Sequence, residues 1–179
     1  MSKEIATTRA LDPIAEARRQ WVAHGWEDAA PGMAAVTTIT RAQQILEARV
    51  EDALTPYGLT FARFEILRLL GFTRSGQLPM GKISDRLQIH PASVTSAVKR
   101  LEREGLIDRR SDELDSRVVL ASLLPAGRRV LEPATAAVNR VFESTGLDDA
   151  QIEQLIDLLD PIRAIAGDRI ENRSGDESV

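Results

Sequence analysis

The 179-residue chain contains no cysteine. That excludes a disulfide framework, a thiolate zinc site and a thiol-based redox sensor. Its two histidines, His24 and His90, stand far apart, and no HExxH, GxSxG, phosphate-binding glycine loop or paired-carboxylate pattern occurs. No enzyme activity, metal or cofactor is therefore expected. No apolar run approaches the roughly 18 residues needed to span a membrane. The opening stretch MSKEIATTRALDP also lacks the apolar centre of a secretory signal. The expected location is cytoplasmic, with no membrane partner.

Apolar residues make up 43% of the chain, enough for a core, and charged residues 28%. The net charge of −4 conceals a pattern: residues 1–62 carry −2, residues 63–131 carry +5 and residues 132–179 carry −7. Affinity for DNA depends on local cationic surface, so an acidic total does not exclude it. The bland alternative is an ordinary solvated surface with uneven charge.

Most of the chain reads as helix. Asp12-Pro13 predicts a helix start, with Asp as N-cap and Pro at the first helical position, running to about His24 and ending at Gly25. A loop containing Pro31 and Gly32 follows. A long helix is predicted from 33 to 54, on the recurrence of Ile39, Gln43, Leu46, Val50 and Leu54. Thr60 predicts the cap of a third helix with Phe61, Phe64, Leu67 and Leu70 inward. TRSGQLP reads as a loop, Pro79 as the opening of a short helix, and Gln88-Ile89-His90 as a tight connection. LIDRR and RVVLASLL, separated by SDELDS, predict a two-stranded hairpin. Pro125 opens a further helix, with a kink predicted at Pro133 and an end at Gly146. The last helix begins at two aspartates, is bent at Pro161, and carries a stripe of Ile152, Leu155, Ile156, Leu159 and Ile162, widened by Leu158 and Ile165.

The stretch HPASVTSAVKRLEREGLIDRR (90–110) carries the most chemistry. At 100° per residue, Ala97, Val98 and Leu101 fall within about 60° of Val94 and form a buried face. Ala92, Ser93, Ser96, Lys99, Arg100 and Arg103 occupy the opposite arc, with Thr95 and Glu102 at one border. That outer face is small near the N-terminus and cationic further on, the profile of a helix that enters a groove. Small side chains let the backbone approach, hydroxyls reach base edges or phosphates, and long cations reach the backbone. A short helix, a tight turn and this helix make a helix-turn-helix, and the basic hairpin after it makes a winged version. Arg109 and Arg110 lie on the first strand, and Arg117 just past the tip, where an arginine can reach an adjacent minor groove. The alternatives are plain. His90 fits an N-cap or turn residue better than a ligand. Asp115 and Arg117 read as a hairpin ion pair, as a device fixing the wing tip, or as both.

GLTFARFEILRLL and the segment PMGKISDRLQIHPASVTSAVKRLEREGLIDRRSDELDSRVVLASLLPAGRRVL resemble the MarR family of bacterial transcription regulators. The most specific pieces are S-V-T at 93–95, L-E-x-x-G-L-I at 101–107 and D-x-R at 115–117. The resemblance implies a mainly α fold with a small β-hairpin wing, dimerised through its N- and C-terminal helices. It implies a dimerisation helix (33–57), a winged helix-turn-helix lobe (58–124) and C-terminal dimerisation helices (125–167); an extra N-terminal helix and loop (1–32) precede them, and the polar tail (168–179) reads as disordered. It implies a homodimeric repressor of a pseudo-palindromic operator in double-stranded DNA, released by a small aromatic or phenolic effector. The expected DNA-binding residues are His90, Ala92, Ser93, Thr95, Ser96, Lys99, Arg100, Arg103, Arg109, Arg110, Asp115 and Arg117.

The chain departs from the family pattern at Ser116, where an arginine usually follows the aspartate, and at Pro125, where threonine usually follows the leucine. The N-terminal helix is also found in urate-responsive members, but Glu65 stands where that branch tends to carry aspartate, so urate is not inferred. Trp21 and Trp26 are candidate ligand-binding residues, or packing residues at a dimer interface. A protein-interaction module that kept the fold and lost DNA binding is the competing reading. The acidic last third and Ser116 leave room for it, and the retained cations argue against it.

Overall fold

The computed structural model describes residues 11–112 and 115–170. Glu113 and Leu114 of the expected hairpin tip, and residues 171–179 of the expected disordered tail, lie outside the described residues. Two compact units are present, Met1–Val141 and Phe142–Val179.

In the first unit α1 (Pro13–Ala23) starts as the Asp12-Pro13 signal predicts. The Asp12 carboxylate accepts from the Ile14 and Ala15 amides at 3.0 and 3.2 Å. Helix α2 (Ala30–Leu54) begins earlier than expected: Pro31 and Gly32 lie in its first turn, not in a loop. Proline is tolerated there because the first helical N–H groups have no intrahelical acceptor. A single 3-10 turn, Thr55–Tyr57, and Gly58 at φ 65° reverse the chain into α3 (Phe61–Phe72). Thr60 caps it as predicted, its hydroxyl accepting from the Arg63 amide at 3.4 Å.

The segment read as a loop contains a strand, β1 (Gln77–Pro79). It pairs antiparallel with β3 (Val119–Leu123), which also pairs with β2 (Ile107–Ser111). The sheet is therefore three-stranded, in the order β1-β3-β2, and not a bare hairpin. Three residues ending in proline carry no alternation to read, so this strand exists only through its long-range partner. Helix α4 (Met80–Leu87) follows, opened by Pro79 as its N-cap. Then come α5 (Pro91–Arg103), the β2–β3 wing and α6 (Pro125–Phe142).

Helix α6 continues through Pro133 and ends at Phe142, four residues before Gly146. Its first turn meets the base of the wing at Gly127. A Cβ built there would lie 2.2 Å from the Leu106 carbonyl oxygen and 2.7 Å from the Leu123 side chain. Only glycine lets the helix come this close.

The core of this unit is continuous. Leu54 of α2, Ile66, Leu67 and Leu70 of α3, Ile83 of α4, and Val94, Val98 and Leu101 of α5 join Ile107, Ala121, Leu131 and Val138. Burying such side chains stabilises by about 1.5–3 kcal/mol each. By contrast, Ile39 and Leu46 of the predicted α2 stripe are exposed, as are Val36 and Ile45 outside it, and only the C-terminal end of the stripe, Val50 and Leu54, enters the core.

The second unit is dominated by α7 (Asp149–Ile165). Asp148 is its N-cap and shares a reciprocal capping box with Gln151, at 2.9 and 3.0 Å. No residue of α7 is buried, and Leu155, Leu158, Ile162 and Ile165 are exposed.

Candidate nucleic-acid interface

The turn into α5 is built from three local devices. Gln88 takes the left-handed conformation at φ 53° and ends α4. His90 is the N-cap, its Nδ1 accepting from the Ala92 amide at 3.2 Å. Pro91 presets the first helical φ. His90 thus has the capping role its position suggested. At the other end the Gly105 amide reaches the Glu102 carbonyl at 2.9 Å, and the Leu106 amide reaches the Leu101 carbonyl at 3.0 Å. With Gly105 at φ 69°, this is a Schellman termination. Both ends of α5 are fixed, and Val94, Val98 and Leu101 anchor one face in the core.

The opposite face is open. Ala92, Ser93, Ser96, Lys99, Arg100 and Arg103 are exposed together, as the helical wheel predicted. Thr95 is half-buried, and its hydroxyl donates to the Pro91 carbonyl at 2.9 Å. A shallow depression lined by Ser96, Lys99, Glu102, Arg103 and Arg109 connects α5 to the wing.

The expected arginines differ in how they are held. Arg109 bridges β2 to α5: its Nε and Nη2 donate to Glu102 Oε2 at 2.8 and 2.7 Å. Arg110 is exposed beside Asp108, at 3.5 Å. At the wing tip Asp115 Oδ1 accepts from both the backbone amide and Nε of Arg117, each at 3.0 Å, and Oδ2 accepts from Nη2 at 3.2 Å. These bonds hold the Asp115 carboxyl below its ordinary value. Arg117 nevertheless remains 89% exposed. The tip is therefore a preset fork and not a free side chain. A second open depression beside it brings Lys82 and Asp85 of α4 near Arg117 and Val119. Lys82 was not singled out in the sequence, because the register that brings α4 beside the wing comes from β1.

Trp21 lies on α1 and Trp26 just after it. They pack edge to face with ring centroids 5.4 Å apart, and His24 stacks on Trp26 at 5.7 Å. Trp26 is still 52% exposed. The open cleft along α1 is lined by Asp12, Ile14, Ala15, Arg18, Arg19, Val22, Ala23 and Ala34, and by neither indole.

Two residues that matter to α5 escaped the reading of the sequence: Arg63 and Glu104. Arg63 is 5% exposed, and its Nη1 donates to Glu104 Oε1 and Oε2 at 2.9 and 2.8 Å. A signal was available. Arg63 adjoins Phe64 and lies four residues before Leu67, on the apolar side of α3, and a charge there demands a buried partner.

Among the described residues no group of acidic, histidine or cysteine side chains is placed to hold a metal, and no helix is long and apolar enough to cross a membrane.

Comparison with known proteins identifies the fold. The MarR family model matches residues 59–119, from the entry into α3 to the first residue of β3. Sco5413 of Streptomyces coelicolor, a MarR family transcriptional regulator, is 45% identical, and the match covers 79% of this chain and 99% of that one at a TM-score of 0.71. BpsR of Bordetella bronchiseptica, whose DNA binding is regulated by 6-hydroxynicotinic acid, is 26% identical over 72% of this chain and 98% of its own, with a TM-score of 0.64. The HTH-type transcriptional repressor Rv2887 of Mycobacterium tuberculosis is 29% identical over 55% of this chain and 69% of its own length. The first curated relatives are matched over 59% to 69% of their own lengths. With a mainly helical winged helix-turn-helix fold and a near full-length relative of this similarity, the chain belongs to the MarR family of DNA-binding transcription regulators, which are not enzymes.

Proposed function

We propose that the protein is a homodimeric repressor that inserts α5 into the major groove and the wing tip into the adjacent minor groove of a pseudo-palindromic operator. The observation that carries this reading is the joint exposure of Ser93, Ser96, Lys99, Arg100 and Arg103 on a helix whose ends and inner face are fixed. Preorganisation matters because a helix already held in place loses little freedom on docking.

The roles divide by chemistry. Ala92, Ser93, Thr95 and Ser96, near the helix start, approach base edges. Lys99, Arg100 and Arg103 meet phosphates, and Arg110 does so from the wing. Arg117, aimed by Asp115, enters the minor groove. His90 and Arg109 act mainly by holding α5 and the wing in place.

Dimerisation is assigned to residues 33–57 and 125–167. The apolar side chains of α2 and α7 left exposed in one protomer support that assignment. The repressor sense follows the relative named a repressor, Rv2887. A small aromatic or phenolic effector is proposed by analogy with BpsR. Trp21 and Trp26 are its candidate contacts, because Trp26 offers an exposed indole against an aromatic neighbour.

The test is a salt-dependent titration against a duplex that the protein itself selects from a random-sequence pool. Two half-sites about one helical turn apart, roughly 10 bp, are expected. Arg117→Ala should weaken binding across sequences, and Ser93→Ala or Ser96→Ala should shift sequence preference. Unchanged affinity and salt dependence in Arg117→Ala would remove the wing assignment. No binding at low salt would leave the interaction module as the better reading.

A further inference from the structure

The two best-formed ion pairs at the foot of α5 look alike and are not. Among the described residues Glu102 meets one cation, Arg109. Glu104 meets two: buried Arg63 binds both its oxygens, and Arg100 Nε donates to Oε1 at 3.1 Å. The Glu102 cluster therefore sums to zero charge and the Glu104 cluster to +1.

Arg63 has no freedom to leave its place. Its Nη2 donates to the Gly58 carbonyl and its Nε to the Thr60 hydroxyl at 3.4 Å. The backbone of Glu104 is held on the other side, as the C-cap of a helix terminated by Gly105 and Leu106, with its carboxylate partly open to solvent. Arg100 is the accessible member, with its side chain 60% exposed on the outer face of α5.

We propose that Arg63 is a positioning residue for DNA binding: by neutralising Glu104 from inside the lobe, it leaves the charge of Arg100 available for a phosphate. The inference rests on α5 being the DNA-contacting helix. Moving Arg100 from Glu104 to a phosphate leaves Glu104 still paired twice with Arg63, so no carboxylate is stranded beside the DNA. Moving Arg109 the same way would leave Glu102 uncompensated and facing phosphate, among the described residues. Arg109 thus braces the wing against α5, whereas Arg100 is a phosphate ligand. A carboxylate at position 104 without Arg63 would capture Arg100 and repel the DNA backbone.

The test reads the number of phosphates engaged, which loss of stability alone does not change. A fluorescent mixed-sequence duplex would be titrated across a range of salt concentrations with the native protein and with Arg100→Ala, Arg63→Gln, Glu104→Gln and the Arg63→Gln/Glu104→Gln pair. Each lost phosphate contact lowers the log–log salt slope by about 0.9 per protomer. Arg100→Ala and Arg63→Gln should each show that loss. Glu104→Gln alone should keep the native slope, and the pair should recover it. A native slope in Arg63→Gln, or no recovery in the pair, would overturn the proposal.

Should Arg63→Gln fail to fold by circular dichroism, the Glu104→Gln arm decides. An unchanged slope there, together with the lowered slope of Arg100→Ala, upholds the proposal, and a native slope in Arg100→Ala sinks it. A slope steeper by about 0.9 per protomer means that Glu104 had been withholding Arg100, and sinks it. Absence of any binding by the native protein would instead overturn the DNA reading itself, and this proposal with it.

Discussion

The α3-to-β3 lobe and helix α7 are both amphipathic, yet they treat their apolar side chains in opposite ways. In the lobe Ile66, Leu67, Leu70, Ile83, Val98 and Leu101 are fully buried within one protomer. In α7 no side chain is buried, and Ile165 is 90% exposed. Helix α2 shows both behaviours, with its C-terminal end in the core and Val36, Ile39, Ile45 and Leu46 outside it. An apolar stripe states that a face needs covering. It does not state whether the cover comes from the same chain.

That contrast can be broken most forcefully from the lobe side. Leu67→Ala should cost about 2–5 kcal/mol of unfolding free energy, measured by denaturant titration, because the site is fully enclosed and leaves a cavity. A loss below the cost of an ordinary surface change would mean that the lobe is less tightly packed than described.

The complementary experiment is Leu158→Glu with Ile165→Glu. The core of the α3-to-β3 lobe should be unaffected, with its own stability changing by no more than about 0.5 kcal/mol. Sedimentation velocity should nevertheless show a shift from dimer to monomer. A variant that remained dimeric would mean that this stripe is not the seam.

The smallest effect lies at Glu65, a half-buried carboxylate on α3 whose burial pushes it up from its ordinary value. Its folded value is raised, so its contribution to stability is full below the unfolded value of about 4.3 and is lost as pH rises through the folded one. Loss of the Glu65 proton as pH rises therefore opposes folding. Glu65→Gln should therefore melt above the native protein at pH 7, with the gap closing in acid. A gap independent of pH would assign the effect to packing instead.

What could be read in advance follows the range of the interactions involved. Helix limits set by caps, such as Asp12, Thr60 and His90, are legible because the deciding atoms lie within three residues. The open face of α5 was legible because helical geometry alone fixes it. Strand β1 was not, since Leu78 pairs with Ala121 across more than half of the lobe. The partition of arginines was not either. Arg100 and Arg109 look equivalent as cations, and only the position of Arg63, forty-one residues before Glu104, separates them. The start of α2 was misplaced for a local reason: Pro31-Gly32 has the composition of a loop but sits where a helix tolerates both.

Gly127 bears on motion more than on stability. The gap between α6 and the Leu106 carbonyl is too narrow for one methyl group. The nearest contact is backbone against backbone, with the Leu123 side chain beside it. Leu106 also closes the end of α5 and accepts from the Leu124 amide at 3.0 Å. The first turn of α6, the root of the wing and the foot of α5 therefore meet at one joint without play. A push on any one of the three acts on the other two within the same few ångströms of main chain.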